Sequence, residues 1–180
     1  YCNIGNPQAL DQPPLTYVRQ VLSIVETPSL LTRTDLFPAD IITRARELLE
    51  AMGSGGTGAY SHSSGVPRVR QSIADYVARR DGFPASPDDV FMTDGASAAI
   101  RYILNVIISD KSHGVMIPVP QYPLYCAAIT QLGGVPVQYH LDESRGWAVD
   151  VASVRKQFDE ATQAGVVVKA IVVINPGNPT

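Results

Sequence analysis

The stretch GVMIPVPQYPLYCAAITQLGGVPVQYHL, residues 114–141, decides the fold. Its two ends, residues 114–119 and 135–141, are apolar runs with the length of strands. Residues 124–132 between them are predicted to form a helix. A strand, a helix and a strand of these lengths imply two parallel strands joined by a crossover helix.

The same alternation continues on both sides of this stretch. Residues 90–93 are predicted to be a strand and residues 96–108 a helix. Residues 151–164 are predicted to be a helix with Asp150 as its N-cap, and residues 169–174 a strand. Repeated units of this kind predict an α/β fold, with a mainly parallel sheet and helices on both faces.

The first third of the chain has a different pattern. Residues 1–14 are rich in Pro, Asn and Gln and are predicted to be an arm rather than a core element. Apolar spacing predicts three helices, at residues 15–25, 41–52 and 66–80, with a glycine-rich stretch at 53–58. We therefore divide the chain into an arm with helices, residues 1–65, and the α/β part, residues 66–180.

Composition excludes several classes of function. The 180 residues are 45% hydrophobic and 17% charged, as in a globular protein, and the net charge of −3 gives no reason to bind nucleic acid or an anionic membrane. No apolar stretch approaches the ~18 residues of a spanning helix. Cys2 and Cys126 lie far apart, with no CxxC pair and no histidines at metal-binding spacing. We expect two reduced thiols in an intracellular protein, and no metal site.

Both ends of the chain look cut. Residue 1 is Tyr rather than Met, and Thr180 directly follows a strand-like run and a turn. Since a buried strand needs neighbours on both sides, we expect residues 66–180 to be only the first part of their domain.

The first candidate site is the turn Thr93-Asp-Gly-Ala-Ser97, between a predicted strand and a predicted helix. Backbone N–H groups at a helix N-terminus suit a phosphate, Gly95 permits close approach, Ala96 adds no bulk, and Ser97 adds a hydroxyl. The alternative is that Ser97 only caps the helix. The motif is neither a P-loop nor a dinucleotide fingerprint.

Two further turns follow predicted strands. Prolines stiffen the turn around Tyr122, so its ring is held at a strand end where it could stack on a flat heterocycle. In the turn at residues 175–180, the carboxamide groups could donate to a ligand oxygen. The alternatives are a tyrosine that packs on the core and residues chosen only for turn formation.

Five motifs stand out along the chain: NIGNPQ (3–8), GAYSHSSG (58–65), DGAS (94–97), PQYPLY (120–125) and INPGNPT (174–180). Each motif alone is moderately specific, but the five occur in order and in register over essentially the whole chain. Together they resemble the alanine aminotransferases, which are fold type I pyridoxal 5′-phosphate (PLP) enzymes of the aspartate aminotransferase class. The resemblance implies that the α/β part belongs to the PLP-binding large domain.

The resemblance implies PLP as the cofactor and assigns residues to it. Gly95, Ala96 and Ser97 would bind the phosphate, in agreement with the helix-terminus argument. Tyr122 would stack on the pyridine ring, and Asn178 would donate a hydrogen bond to the phenolic oxygen of that ring.

The resemblance also implies a homodimer with shared sites. Tyr60 would reach the cofactor phosphate of the other subunit, and Ile4 and Gly5 would line the substrate side of the pocket. His62, beside Tyr60, is expected to be a neutral loop histidine without a catalytic role.

The residue that binds the cofactor covalently in this family is absent. The Schiff-base lysine of the family lies in a Ser-x-Ser-Lys-like segment well downstream, and none of the three lysines here matches it. Lys111 is in a polar loop, Lys156 is on a predicted surface helix, and Lys169 is predicted to open a strand, away from the ligand end. We therefore assign no catalytic residue and expect the chain alone to be inactive.

The implied activity of the intact protein is transfer of the amino group of L-alanine to 2-oxoglutarate, through PLP and pyridoxamine phosphate. The alternatives are a glutamate:glyoxylate aminotransferase, a PLP lyase of the same fold resembling aminocyclopropane-carboxylate synthase, and a non-catalytic fragment or pseudoenzyme. The pyridine-pairing aspartate and the substrate arginine are expected beyond residue 180.

Overall fold

A computed structural model describes residue 5 and residues 7–180. These residues fold into two compact units, one ending at Thr93 and one formed by Asp94–Thr180, with which Gly5 is grouped. The described helices and strands are α1 (Thr16–Glu26), α2 (Ala39–Met52), α3 (Pro67–Asp81), α4 (Ala96–Ile107), β1 (His113–Val119), α5 (Leu124–Gln131), β2 (Val135–Asp142), β3 (Ala148–Val149), α6 (Val151–Gln163) and β4 (Val167–Ile171).

The first unit is helical. Helices α1 and α2 pack together through apolar residues spaced three and four apart, namely Val21, Ile24, Val25, Ile41, Ile42 and Ala45. Helix α3 ends at Gly82, whose φ of +74° is the left-handed conformation that commonly ends a helix. The three predicted helices are confirmed.

The second unit is a four-stranded sheet in the order β3-β2-β1-β4. Strand β1 pairs in parallel with both β2 and β4, and the short β3 pairs antiparallel with β2. Val115 and Ile117 of β1 face α4 and α5, whereas Met116 faces α6. The predicted parallel sheet with helices on both faces is therefore confirmed.

Two predicted details of the second half are wrong, and one short strand was missed. Residues 90–93 are not a strand: the Met92 amide donates to the Ser64 carbonyl at 2.9 Å, but the described residues provide no strand beside them. Strand β4 begins at Val167, because Val167 pairs with His113 of β1, so Lys169 lies within the strand and does not open it. Strand β3 was not predicted.

The boundary between the compact units lies after Thr93. Helix α3 therefore groups with α1 and α2, whereas the sequence division at residues 65 and 66 assigned it to the α/β part. Among the helices that the structure describes, none is long and apolar enough to cross a membrane.

Candidate functional site

The first turn of α4 has features of an anion-binding helix N-terminus. The helix begins at Ala96, and its N-cap is Gly95, with a φ of +84° that a residue with a side chain rarely adopts. Ala96 and Ser97 are exposed, and the helix itself does not use the N–H groups of its first turn. Because Ser97 is the second helical residue, it does not occupy the cap position, which removes the capping alternative.

Helix α4 runs back along the sheet toward the amino end of β1. Its last turn lies there, since the Nδ1 atom of His113 is 3.2 Å from the Ile107 carbonyl oxygen. Along its length α4 packs on one face of the sheet, through Leu104 and Ile100. The first turn therefore lies toward the carboxyl end of the sheet, where ligands of open α/β folds bind.

Tyr122 and Asn178 follow two neighbouring strands of this sheet. Tyr122 comes directly after β1 and is half-buried, and the segment with Asn178, which is exposed, follows β4. Because β1 and β4 are adjacent and parallel, both segments leave the sheet at the same end. Direct contact between Gly95, Tyr122 and Asn178 around one ligand stays a prediction.

A buried tyrosine fixes the start of the segment that carries Asn178. The Tyr139 hydroxyl, on β2, donates to the Val172 carbonyl at 2.7 Å, and the Val172 amide donates to the Met116 carbonyl at 2.8 Å. Tyr139 is fully buried, and this burial raises the pKa of its phenol. The chain beyond β4 is thus tied to both β1 and β2 before it turns at Asn175.

The sequence analysis missed Tyr139 as an anchor. Its signal was available, because Val137 and Tyr139 alternate with polar residues and so occupy one face of β2. A tyrosine on an inward face needs a partner for its hydroxyl. Its partner, at Val172, could not be known without the pairing of the strands.

Tyr60 lies in the other compact unit, on the loop formed by residues 59–65. It is fully exposed. The turn after it is organised by His62, whose Nδ1 accepts from the Ser64 amide at 3.2 Å and whose carbonyl accepts from the Gly65 amide at 2.8 Å. These two hydrogen bonds give His62 a structural role in the loop. The Tyr60 ring lies on the surface of its unit.

The two residues expected on the substrate side are only partly described. Ile4 lies outside the described residues. Gly5 is exposed, with open space where a side chain would begin.

The three lysines do not lie at the carboxyl end of the sheet. Lys111 is in the loop before β1, at the opposite end. Lys156 is exposed on α6 and pairs with Glu160 at 3.8 Å. Lys169 is exposed within β4, where it lines a surface groove with residues of α6. The described residues also contain no cluster of His, Cys, Asp or Glu that could hold a metal ion.

The second unit has the architecture of an α/β protein that binds its ligand at the end of an open, mainly parallel sheet. The exposed start of α4, the half-buried Tyr122 and the turn with Asn178 all lie toward that end. Residues 29–180 match the family of class I and II aminotransferases. The chain belongs to that family. PLP is the cofactor of the family.

Known relatives resemble the chain over its whole length. It is 48% identical to alanine aminotransferase 2 of Panicum miliaceum and 50% identical to glutamate–glyoxylate aminotransferase 1 of Arabidopsis thaliana; in each case the match covers 100% of this chain and 38% of the relative. The alanine aminotransferase structure from Pyrococcus furiosus matches with a TM-score of 0.69 and 27% identity, over 98% of this chain and 36% of that one. The chain thus spans little more than a third of the length of these relatives.

Proposed function

We propose that the protein containing this chain transfers the amino group of L-alanine to 2-oxoglutarate, with PLP as cofactor and with pyruvate and L-glutamate as products. The observation that carries the proposal is the set of groups at the carboxyl end of the sheet. The first turn of α4 and the segments after β1 and β4 reach the same end, each with a different binding group.

These groups fit the parts of PLP. The first turn of α4 offers the N–H groups of Ala96 and Ser97 and the Ser97 hydroxyl to a phosphate, and the partial positive charge of the helix end favours a dianion. The φ of Gly95 lets the backbone enter this turn without a side chain in front of it.

Tyr122 and Asn178 would orient the ring. An aromatic ring fixed after β1 suits stacking on a flat pyridine, and the Asn178 carboxamide suits donation to the oxygen on that ring. Bound PLP supplies an electron sink that stabilises the carbanion formed at the substrate Cα. Together the two residues would hold the ring in one plane relative to the sheet end.

The remaining parts of the site would come from elsewhere. A lysine outside this chain would bear the cofactor and move the proton, since Lys111, Lys156 and Lys169 lie away from the site. Tyr60 would reach the cofactor phosphate of a second subunit. Ile4 and Gly5 would line the substrate side of the pocket. The proposal therefore includes a homodimer in an intracellular compartment.

Glyoxylate is the second candidate acceptor. The 50% identity to a glutamate–glyoxylate aminotransferase is as high as the 48% identity to an alanine aminotransferase, so similarity alone does not separate the two. The whole protein, loaded with PLP, should be assayed with alanine and 2-oxoglutarate, with glutamate and glyoxylate, and with aspartate as the donor control. The highest kcat/KM is expected for alanine and 2-oxoglutarate.

Two outcomes would contradict the proposal. A higher kcat/KM for glutamate and glyoxylate would select the second candidate. PLP binding without transfer from any donor would favour a pseudoenzyme.

A further inference from the structure

The turn at residues 175–180 carries Asn178, which is the residue proposed to orient the PLP ring. Gly177 and Thr180 approach each other closely within this turn, since a Cβ on Gly177 would overlap both the side chain and the backbone of Thr180. The turn is therefore compact. Its place relative to the sheet depends on the chain that leads into it from β4.

That chain is fastened at Val172, the first residue after β4. The Val172 carbonyl accepts from the Tyr139 hydroxyl at 2.7 Å, and the Val172 amide donates to the Met116 carbonyl at 2.8 Å. Beyond Val172, residues 173–180 form no hydrogen bond with any other part of the chain that the structure describes. The two bonds at Val172 are thus the last fastening before Asn178.

Side-chain packing holds residues 173–177 only loosely. A cleft of about 480 Å³ is lined by Tyr139, Trp147 and residues 173–177, among others. Val173 is 62% exposed. Close packing is what normally fixes a segment in a protein interior, and here open space replaces part of it. The hydrogen bonds at Val172 therefore have a large share in placing the segment.

Tyr139 is a rigid support for this fastening. Its side chain is fully buried among Met116 and Val137 on one face of the sheet, so the core fixes the position of its hydroxyl. A buried hydrogen bond of this kind is costly to lose, because the Val172 carbonyl would be left without its donor. Loss of the hydroxyl should let residues 172–178 shift while the sheet stays in place.

We propose that Tyr139 is a positioning residue for Asn178: by holding the Val172 carbonyl, its hydroxyl sets the place from which the Asn178 carboxamide reaches the oxygen on the PLP ring. The inference rests on the proposed function. In this role Tyr139 acts through the backbone at Val172 and not through a contact with the cofactor.

The test follows the absorption of PLP bound to the whole protein as the pH changes. A hydrogen bond donated to the oxygen on the ring favours the form of the cofactor in which this oxygen is more negative, which is the deprotonated form. Loss or misplacement of the Asn178 donor should therefore raise the midpoint pH of the absorption change. The titration covers about pH 5 to 9, below the range in which a tyrosine ionises.

The variants should form a graded series. Asn178→Ala should raise the midpoint by roughly one pH unit, because it removes a hydrogen bond to a charged oxygen. Tyr139→Phe should raise the midpoint by a smaller amount, roughly 0.3 pH unit, since Asn178 remains but is less well placed. In the double variant, Tyr139→Phe should add nothing to the effect of Asn178→Ala.

Asp150→Ala is the control for a loss of stability alone. Asp150 caps α6 of the same unit through the Ala152 and Ser153 amides and forms no bond with residues 172–180. This variant should leave the midpoint unchanged. If thermal unfolding shows that Tyr139→Phe is partly unfolded, all titrations are repeated in sucrose, which favours the folded state.

The inference and the proposed function fail in different ways. An unchanged midpoint in Tyr139→Phe, while Asn178→Ala raises it, would overturn the role of Tyr139. Shifts that add up in the double variant would overturn it as well, because Tyr139 would then act independently of Asn178. An unchanged midpoint in Asn178→Ala would instead refute the contact between Asn178 and the ring that the proposed function includes.

Discussion

Two helices of the α/β unit begin in different ways. At the start of α6, the Asp150 carboxylate accepts from the Ala152 and Ser153 amides, both at 3.2 Å. At the start of α4, the N-cap is Gly95, which has no side chain, and the first turn is exposed. Both helix ends present the same N–H groups and the same partial positive charge.

The difference separates a helix end that is completed by the protein from one that can accept an anion. In α6 the chain supplies its own negative charge, so no ligand is needed. In α4 a glycine stands where α6 has its carboxylate, and the geometry of that glycine excludes most side chains. Within one unit, α6 therefore has a capping carboxylate and α4 has no capping side chain. This difference favours binding of an external anion at the start of α4.

The largest expected effect concerns the 180-residue chain by itself, which should show no amino transfer and no stoichiometric covalent attachment of PLP. An anion site at α4 would hold the cofactor only by noncovalent contacts, and covalent attachment needs a lysine beside the cofactor aldehyde. The chain should be mixed with PLP, reduced with borohydride, and mapped for pyridoxyl-lysine by mass spectrometry.

Scattered, substoichiometric labelling would reflect exposed amines and agrees with this expectation. Stoichiometric labelling of Lys111, Lys156 or Lys169, together with amino transfer, would show that the chain holds its own catalytic lysine.

A carboxylate introduced at the start of α4 makes this helix end similar to that of α6. Ser97→Asp places a carboxylate in the first turn, where it should stabilise the helix by ~0.3–1 kcal/mol but repel a phosphate. At close range in partly shielded surroundings, such repulsion should weaken PLP binding by the whole protein roughly 100-fold. Cofactor titration and urea unfolding measure the two effects.

Ser97→Ala is the matched control for that variant. It removes one hydrogen bond without adding charge, and should weaken PLP binding by about 3- to 10-fold. Unchanged PLP affinity in Ser97→Asp would mean that the phosphate does not bind at this helix end.

The sequence was sufficient for features that local patterns control. Apolar spacing predicted all six described α-helices, and Asp150 was correctly predicted as an N-cap because capping depends on residues within one turn. It failed at residues 90–93, whose apolar residues have a strand-like composition. A strand also needs a partner, and the described residues provide none there.

The residues of the candidate site depend more on tertiary structure than the helices do. The start of α4 at Gly95, Ala96 and Ser97 could be predicted because a helix N-terminus is local, whereas its use by a phosphate stays a prediction. Tyr139 was missed because its partner, Val172, lies 33 residues away in the chain. A charged or hydroxyl-bearing residue on an apolar stripe signals that a partner exists, but only the tertiary structure identifies that partner.

A smaller effect concerns the carboxyl end of the sheet, where Tyr139 holds the segment that follows β4. Tyr139→Phe removes the hydroxyl that donates to the Val172 carbonyl, and should lower the free energy of unfolding by about 1 to 3 kcal/mol. Urea unfolding of the chain measures this. An unchanged free energy would mean that the segment after β4 is held without Tyr139.

The pH dependence of the same variant has a definite sign. Burial raises the pKa of the Tyr139 phenol above its usual value of 10.0, so the folded state keeps the proton longer than the unfolded state. The stability that depends on this group is fully present below pH 10 and is lost as the pH rises through the folded-state pKa. The wild-type chain should therefore lose more stability above pH 10 than Tyr139→Phe. Parallel profiles for the two would contradict the assigned burial effect.

The smallest expected effect concerns the capped start of α6. Asp150→Ala removes the cap and leaves the Ala152 and Ser153 amides to water, which should lower the free energy of unfolding by about 1 kcal/mol. Because α6 needs no ligand, PLP binding by the whole protein should not change, in contrast to Ser97→Asp. Asp150→Asn, which retains an oxygen acceptor, should keep most of the stability. If Asp150→Ala weakened PLP binding as much as Ser97→Asp, the two helix ends would not have separate roles, and the assignment of the phosphate to α4 alone would fail.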